Sequence, residues 1–327
     1  MENKNFKNKK EKIAAVVVGY NRKELLRECL DALLSQTRPL DSIILIDNAS
    51  TDGTPEFLKE NGYLSNPKID YVRLPENTGG AGGFYEGVKR GYEKSFDWLW
   101  LMDDDAEPKE DALERLVVGF NKENISALAC SVILPNGEIC YNHRGLIDLR
   151  NIYPLIQKPL QKEKYKELVE EIDVASFVGI LVNKKAIEKI GYPKKEFFIH
   201  HDDVEYCIRL RKVGQILLVP DSIIIHKEAA KEGIIKSFLG RESLRVPYHK
   251  FWLNYYGIRN LVWLGKKYST NKLNFYYGMK KKLIISSVGI ILFDDNKLKR
   301  IKFIISAYID GLKGNFDNGK PKRILDR

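Results

Sequence analysis

The chain of 327 residues has no uncharged apolar run longer than the 11 residues from Leu283 to Phe293. A membrane-crossing helix needs about 20 such residues, so none is expected. The lysines near the start (Lys4, Lys7, Lys9, Lys10 and Lys12) are followed only by Ile13 to Gly19 before the polar Asn21 and Arg22. That apolar core is too short for a secretory signal. The four cysteines, Cys29, Cys130, Cys140 and Cys207, form no Cys-x-x-Cys pair. A disulfide framework and a cysteine-rich metal site are therefore not expected, and a reduced cytoplasmic setting is. Internal repeats and low-complexity linkers are lacking too. So are two phosphate-binding signatures: the third position of G-x-G-x-x-G counted from Gly80 and Gly82 is Tyr85, and no Gly-Lys-Ser/Thr follows the glycines.

Acidic residues are scarce in one part of the chain only. Residues 231–327 hold 21 Lys/Arg against 7 Asp/Glu, whereas the first 230 hold 33 against 37. The net charge of +10 thus belongs to a slightly acidic body with a strongly basic tail. Such asymmetry points to an anionic partner, either a nucleic acid or a membrane surface. With 44% hydrophobic residues the chain can build a core, which excludes global disorder.

The first half alternates strand and helix patterns. Strands are expected at Ile13–Gly19, Ser42–Asp47, Ile69–Leu74 and Trp98–Met102, and helices from Leu25 to Leu34, Thr54 to Asn61 and Gly80 to Lys94. Pro108 suits the first turn of a further helix continuing to Phe120. Apolar strands without alternation, separated by helices, predict a mainly parallel sheet covered on both faces. Beyond residue 125 we expect a helix at Gln161–Glu171, a strand at Val174–Val182, a helix at Asp203–Val213, and short strands at Gln215–Val219 and Ser222–His226. Helical stretches should follow from Phe238. In parallel sheets ligands bind beyond the carboxyl ends of the strands. The polar clusters Tyr20-Asn21-Arg22, Asp47-Asn48, Asn77 to Gly83 and Asp103 to Asp105 all fall there.

Asp103, Asp104 and Asp105 in succession repel one another. A divalent cation such as Mn²⁺ or Mg²⁺ relieves that repulsion, and Asp103 and Asp105 share a face if the segment is extended. Capping of a following helix would account for one of the three. The glycine run at Asn77–Gly83 suits close approach to a phosphate or sugar, or an ordinary turn. His200-His201-Asp202-Asp203 opens a helix, where the carboxylates could supply a general base or serve the helix terminus. His226 ends an apolar strand as either a structural or a ligating histidine.

Taken in order, several segments resemble family-2 glycosyltransferases of the GT-A fold. They are Val16 to Arg22, Ile46 to Gly53, Asn77 to Phe84, Met102 to Asp105, His201 to Tyr206, and Ile225-His226. Within the family they are most similar to galactofuranosyltransferases, with rhamnosyltransferases as close relatives. The resemblance implies an α/β GT-A catalytic domain over residues 1–235, with a nucleotide-sugar half to about residue 125 and an acceptor half after it. A basic aromatic helical region over residues 236–327 would follow. It implies donor contacts from Arg22, Asn48, Asn77, Asp103 and Asp104, with Asp47 near the base. Asp103, Asp105 and His226 would hold the cation, and Asp203 would be the catalytic base. His201 and Asp202 would border the acceptor, and His201 stands where galactofuranosyltransferases often carry Trp. The donor would be UDP-galactofuranose or dTDP-rhamnose. The acceptor would be a glycan or lipid-linked hydroxyl in cell-surface polysaccharide synthesis. No Q-x-x-R-W signature of processive synthases is present.

The tail mixes aromatics and cations, as in Phe251 to Tyr256, Arg259, Trp263 and Lys280–Lys282. This composition suits a bilayer interface. The expected location is therefore peripheral, on the inner face of the cell membrane. Nucleic-acid binding is the main alternative of another class and is not expected beside the acidic catalytic half. Nucleotidyl transfer at the same sheet edge is a second alternative.

Overall fold

The computed structural model describes residues 11–153, 157–227 and 233–325. Lys4, Lys7, Lys9 and Lys10 lie outside them. The first half builds as its pattern predicts: β1 (Ile13–Gly19), α1 (Lys23–Leu34), β2 (Ser42–Asp47), α2 (Thr54–Glu60), β3 (Ile69–Arg73), α3 (Gly79–Glu93) and β4 (Trp98–Asp103). These four strands are mutually parallel in the order β3-β2-β1-β4. Every residue of β1 is buried because its alternating side chains feed two cores. Ala14, Val16 and Val18 join the layer containing α3, and Ile13, Ala15 and Val17 join the layer containing α1. The glycines of α3 serve this packing. A Cβ on Gly83 would lie 2.4 Å from Val18, and one on Gly87 2.3 Å from Val16. The helix backbone therefore rests directly on β1.

The second half departs from the sequence pattern in several places. Pro108 does not enter a helix. It ends β5 (Ala106–Pro108), which pairs with a later strand, and α4 (Ala112–Leu116) starts after it. After β6 (Ile125–Ile133), β7 (Arg144–Ile147) and β8 (Gln157–Pro159), the helix expected at Gln161–Glu171 is a single 3-10 segment followed by β9 (Glu170–Ile172). The strand expected at Val174–Val182 is split into β10 (Val174–Ala175) and β11 (Ile180–Asn183). Gly179, at φ +80°, turns the chain between two sheets. Then come α5 (Lys184–Ile190), α6 (Asp202–Leu210) and β12 (Gln215–His226). The last is one strand with an irregularity between Val219 and Ile223, not two. Among the described residues the main sheet has nine strands, continuing β4-β11-β6-β12-β5, with β9 also on β12.

Helices do not begin at Phe238. A two-stranded hairpin, β13 (Ile234–Phe238) and β14 (Arg241–Arg245), comes first. Among the described residues four helices follow: α7 (Leu253–Tyr268), α8 (Lys272–Phe293), α9 (Lys297–Lys313) and α10 (Lys320–Leu325). They are not packed apart from the sheet. Val262, Leu264, Phe275 and Tyr308 belong to the same buried cluster as Val16 and Ile180.

Candidate active site

Two groups of polar side chains gather at the carboxyl edge of the parallel strands, and a third opens α6. The first gathers where β1 and β4 end. Pairing of β5 with β12 sets His226 opposite Ala106, which brings its ring to the neighbouring Asp105. His226 Nε2 lies 3.0 Å from Asp105 Oδ1. One ligand atom from each of Asp103, Asp105 and His226 falls within 4.8 Å of the others. Arg22, in the turn after β1, sets Nη1 2.5 Å from Asp105 Oδ2 and 3.3 Å from Asp104 Oδ1. The Tyr20 amide donates to Asp104 Oδ2.

The electrostatics of this group favour a cation. Burial, with the charge of Asp105, pushes the Asp103 carboxyl well above its usual range. Burial raises Asp104 to about 7, against the pull of Arg22. Asp105 goes the other way: burial opposes its charge, but His226 and Arg22 hold it below the ordinary value. Two carboxylates and one imidazole are a donor set that Mn²⁺ accepts, and a cation there would relieve the crowding of negative charge.

The second group lies beside the first, at the end of β2. The Asn21 amide donates to Ser50 Oγ and the Thr51 amide to Asn21 Oδ1, which ties the two turns together. Asp47 and Asn48 are both buried. Asp47 accepts from the Ser50 amide at 2.8 Å and from the Tyr71 hydroxyl at 2.7 Å, with Arg73 Nε at 3.7 Å. Asn48 donates to Asn77 Oδ1 and the Gly79 carbonyl, and accepts from the Thr78 amide. Both side chains thus shape the loops that border the edge. Asn77 also accepts from the Gly79 amide.

The third group opens α6. Asp202 is buried and Asp203 half-buried. Burial raises both carboxyls, and the charge of Asp203 pushes Asp202 up further. Burial, with His200 adding to it, pushes His201 down to about 3, so its ring is neutral. The chain reaches α6 through a contorted turn in which Phe198, His200 and His201 all take positive φ, at 65°, 69° and 65°. Each such non-glycine residue costs roughly 1–3 kcal/mol and persists only where neighbours over-determine it.

Those neighbours come from α7. Asn260 Nδ2 faces the carbonyls of Phe197, Ile199 and His200 at 2.8–3.0 Å. Arg259 donates to the Glu196 and Phe197 carbonyls and to Asn260 Oδ1. Both are fully buried. The turn also touches the glycine-rich segment after β3: the Ala81 amide donates to the Phe198 carbonyl, and a Cβ on Gly79 would come within 2.0 Å of that oxygen. The sequence pattern does not single out these roles, because a helix pattern says nothing about carbonyls contributed some 60 residues away.

Arg144 was equally invisible in the sequence. It is fully buried on β7 and donates to the Cys130, His143 and Val178 carbonyls. Its charge draws Asp203 back towards ionisation. The adjacent His143 ring lies 5.0 Å from that of His226, so β7 links the first group to the third.

Replacing Asn260 by Ala is expected to lower turnover about a hundredfold, the scale of a misplaced reacting group. The Michaelis constant for the donor should stay near its original value. Steady-state kinetics with the donor varied checks this. A fall in melting temperature with unchanged kcat would reduce Asn260 to a purely structural residue.

The family model described as glycosyl transferase family 2 matches residues 14–191. Galactofuranosyltransferase GlfT1 of Mycolicibacterium smegmatis is 29% identical over 208 residues, covering 62% of this chain and 67% of that protein. The dTDP-rhamnosyl transferase RfbF of Shigella flexneri is 24% identical over 317 residues, covering 94% of this chain and 98% of that one. Among solved structures, residues 1–349 of S. aureus TarS align with a TM-score of 0.56 at 13% identity, over 96% of this chain and 88% of that one. The mannosyltransferase PcManGT of Pyrobaculum calidifontis, in complex with GDP-Man and Mn²⁺, aligns with a TM-score of 0.54 at 14% identity, over 93% of this chain and 88% of that one. The fold is accordingly GT-A-like, with a helical C-terminal region.

Proposed function

The chain belongs to glycosyl transferase family 2 and is a nucleotide-sugar glycosyltransferase, and from that premise we propose an inverting, metal-dependent transfer of galactofuranose from UDP-galactofuranose. The acceptor is a hydroxyl of a glycan or lipid-linked glycan in cell-surface polysaccharide synthesis, met at the inner face of an anionic membrane. The observation that carries the reading is the Asp103, Asp105 and His226 cluster at the strand ends. A divalent cation held there would neutralise charge developing on the diphosphate leaving group.

The chain's own residues do the rest. Arg22, close to Asp104 and Asp105, lies where it can follow the departing diphosphate. Asp47, Asn48 and Asn77 hold the loops that receive the nucleoside. Asp203, half-buried and raised by burial, takes the proton of the acceptor hydroxyl as the hydroxyl oxygen attacks the anomeric carbon. Attack from the face opposite the leaving group gives inversion in a single displacement. Asp202, raised further, keeps a proton and serves with neutral His201 as a hydrogen-bonding wall for the acceptor.

A second reading, rhamnose from dTDP-rhamnose, is favoured by one fact: the rhamnosyl transferase match extends over 94% of this chain. A donor screen with Mn²⁺ separates the two, measuring release of nucleoside diphosphate from UDP-galactofuranose, dTDP-rhamnose and common UDP-pyranoses. Turnover of UDP-galactofuranose is expected. Use of dTDP-rhamnose alone would replace the donor and leave the mechanism standing. Pyrophosphate as the product would instead indicate nucleotidyl transfer.

A further inference from the structure

The C-terminal region exposes more apolar surface than its neighbours cover. On α8, Ile284, Ile285, Val288 and Ile291 are 48–64% exposed. Their spacing of one, three and three residues puts them on one side of the helix. Earlier in the same helix, Tyr277 is 67% exposed and Lys280, Lys281 and Lys282 all face solvent. The β13–β14 hairpin adds Ile235 and Leu244, and its tip residue Leu239 is 88% exposed. A lone two-stranded hairpin with apolar residues in water is marginal. Here it is fastened to the end of α8: Arg245 forms a two-armed ion pair with Asp294 at 2.6–2.7 Å, and Phe238 meets Phe293 edge-on.

Surfaces of this kind mark an interaction site, and the chemistry of this one selects its occupant. Among the described residues no helix is long and apolar enough to cross a membrane, so α8, about 33 Å long at 1.5 Å per residue, can only lie along one. A second copy would set lysine against lysine, in a region with three times as many basic as acidic residues. A nucleic acid would leave Ile285, Val288 and Leu239 in water. We propose that the outer face of α8 and the β13–β14 hairpin seat the enzyme on a bilayer carrying anionic headgroups, with the apolar side chains in the interface and the lysines on the phosphates. Tyrosine and lysine at the rim of a leucine- and isoleucine-rich face are the residues such an interface takes. The inference extends the membrane setting of the proposed function to particular elements, and it does not depend on the donor sugar.

The test is cosedimentation of the full chain with vesicles of phosphatidylcholine alone and of phosphatidylcholine mixed with phosphatidylglycerol. Pelleting with the anionic vesicles, fading as salt is raised, is expected. Exchanging Lys280, Lys281 and Lys282 for Gln should weaken binding by about a hundredfold, at about fivefold per cation near an anionic surface. The pair Leu239→Glu with Ile285→Glu should abolish it. Both variants should retain the wild-type melting temperature and the wild-type rate of donor hydrolysis in solution. Pelleting that the variants do not alter, a dimer that they break, or binding to RNA or DNA without binding to vesicles would each overturn the inference. Vesicle binding without turnover of any nucleotide sugar would sink the glycosyltransferase mechanism and leave the docking face standing.

Discussion

Exchange of Asp203 for Asn is expected to lower kcat for transfer by about 10²–10⁴-fold, the usual contribution of a positioned general base. Binding of the nucleotide sugar should be unchanged. The amide keeps the shape of the carboxylate and can still accept from the Val204 amide, as Asp203 Oδ1 does at 2.7 Å. It cannot take a proton. Burial pushes the Asp203 carboxyl up to about 6, so it becomes protonated and inactive as the pH falls through that value. The rate should therefore rise with pH on a limb centred near 6 and level off above it. The pH profile of kcat/KM checks the assignment, and the Asn variant should lose the limb along with the rate. Retention of the limb would give the base role to another group.

Removal of Asp105 should cost about a thousandfold in turnover, in line with the several kcal/mol that a cation contributes against developing charge. Dialysis of the unaltered enzyme against a chelator should do the same, and Mn²⁺ should restore it. Binding of a ligand to the folded state alone raises stability. Mn²⁺ should accordingly raise the melting temperature of the native protein and not that of Asp105→Ala. Because Asp105 touches both Arg22 and His226, its loss would also release both of those side chains. Full activity after chelation would remove the metal from the mechanism.

The polar sheet edge was legible in the sequence because most of its polar clusters end or follow an apolar strand. Arg22, Asp47 and Asp103 sit at or just beyond the ends of β1, β2 and β4, and strand direction alone sends them to one side. His226 needed more. An apolar strand ending in histidine does not reveal that β5 will pair beside it, and the pattern read Pro108 as the start of a helix. A proline at the end of an edge strand gives the same local signal as one in the first turn of a helix. The start of α6 was read in outline: the Asp202–Asp203 pair was visible, but the turn before it was not. The positive φ angles at Phe198, His200 and His201 are stabilised by hydrogen bonds from α7. No local propensity encodes a conformation imposed from outside. The hairpin was missed for a related reason, since Ile234 to Arg245 has the mixed apolar and basic composition of the helices that follow.

The hold of Asn260 and Arg259 on the turn before α6 bears on how this part of the site can be exchanged, in evolution or by design. A chimera joined near residue 235 would give the Glu196–His201 turn a foreign α7, and with it an altered set of donors for four carbonyls. Such hybrids should fold and bind nucleotide yet transfer poorly. The unit expected to be exchangeable is discontinuous: the turn, α6 and α7 should travel together, although β12 and the hairpin separate them along the chain.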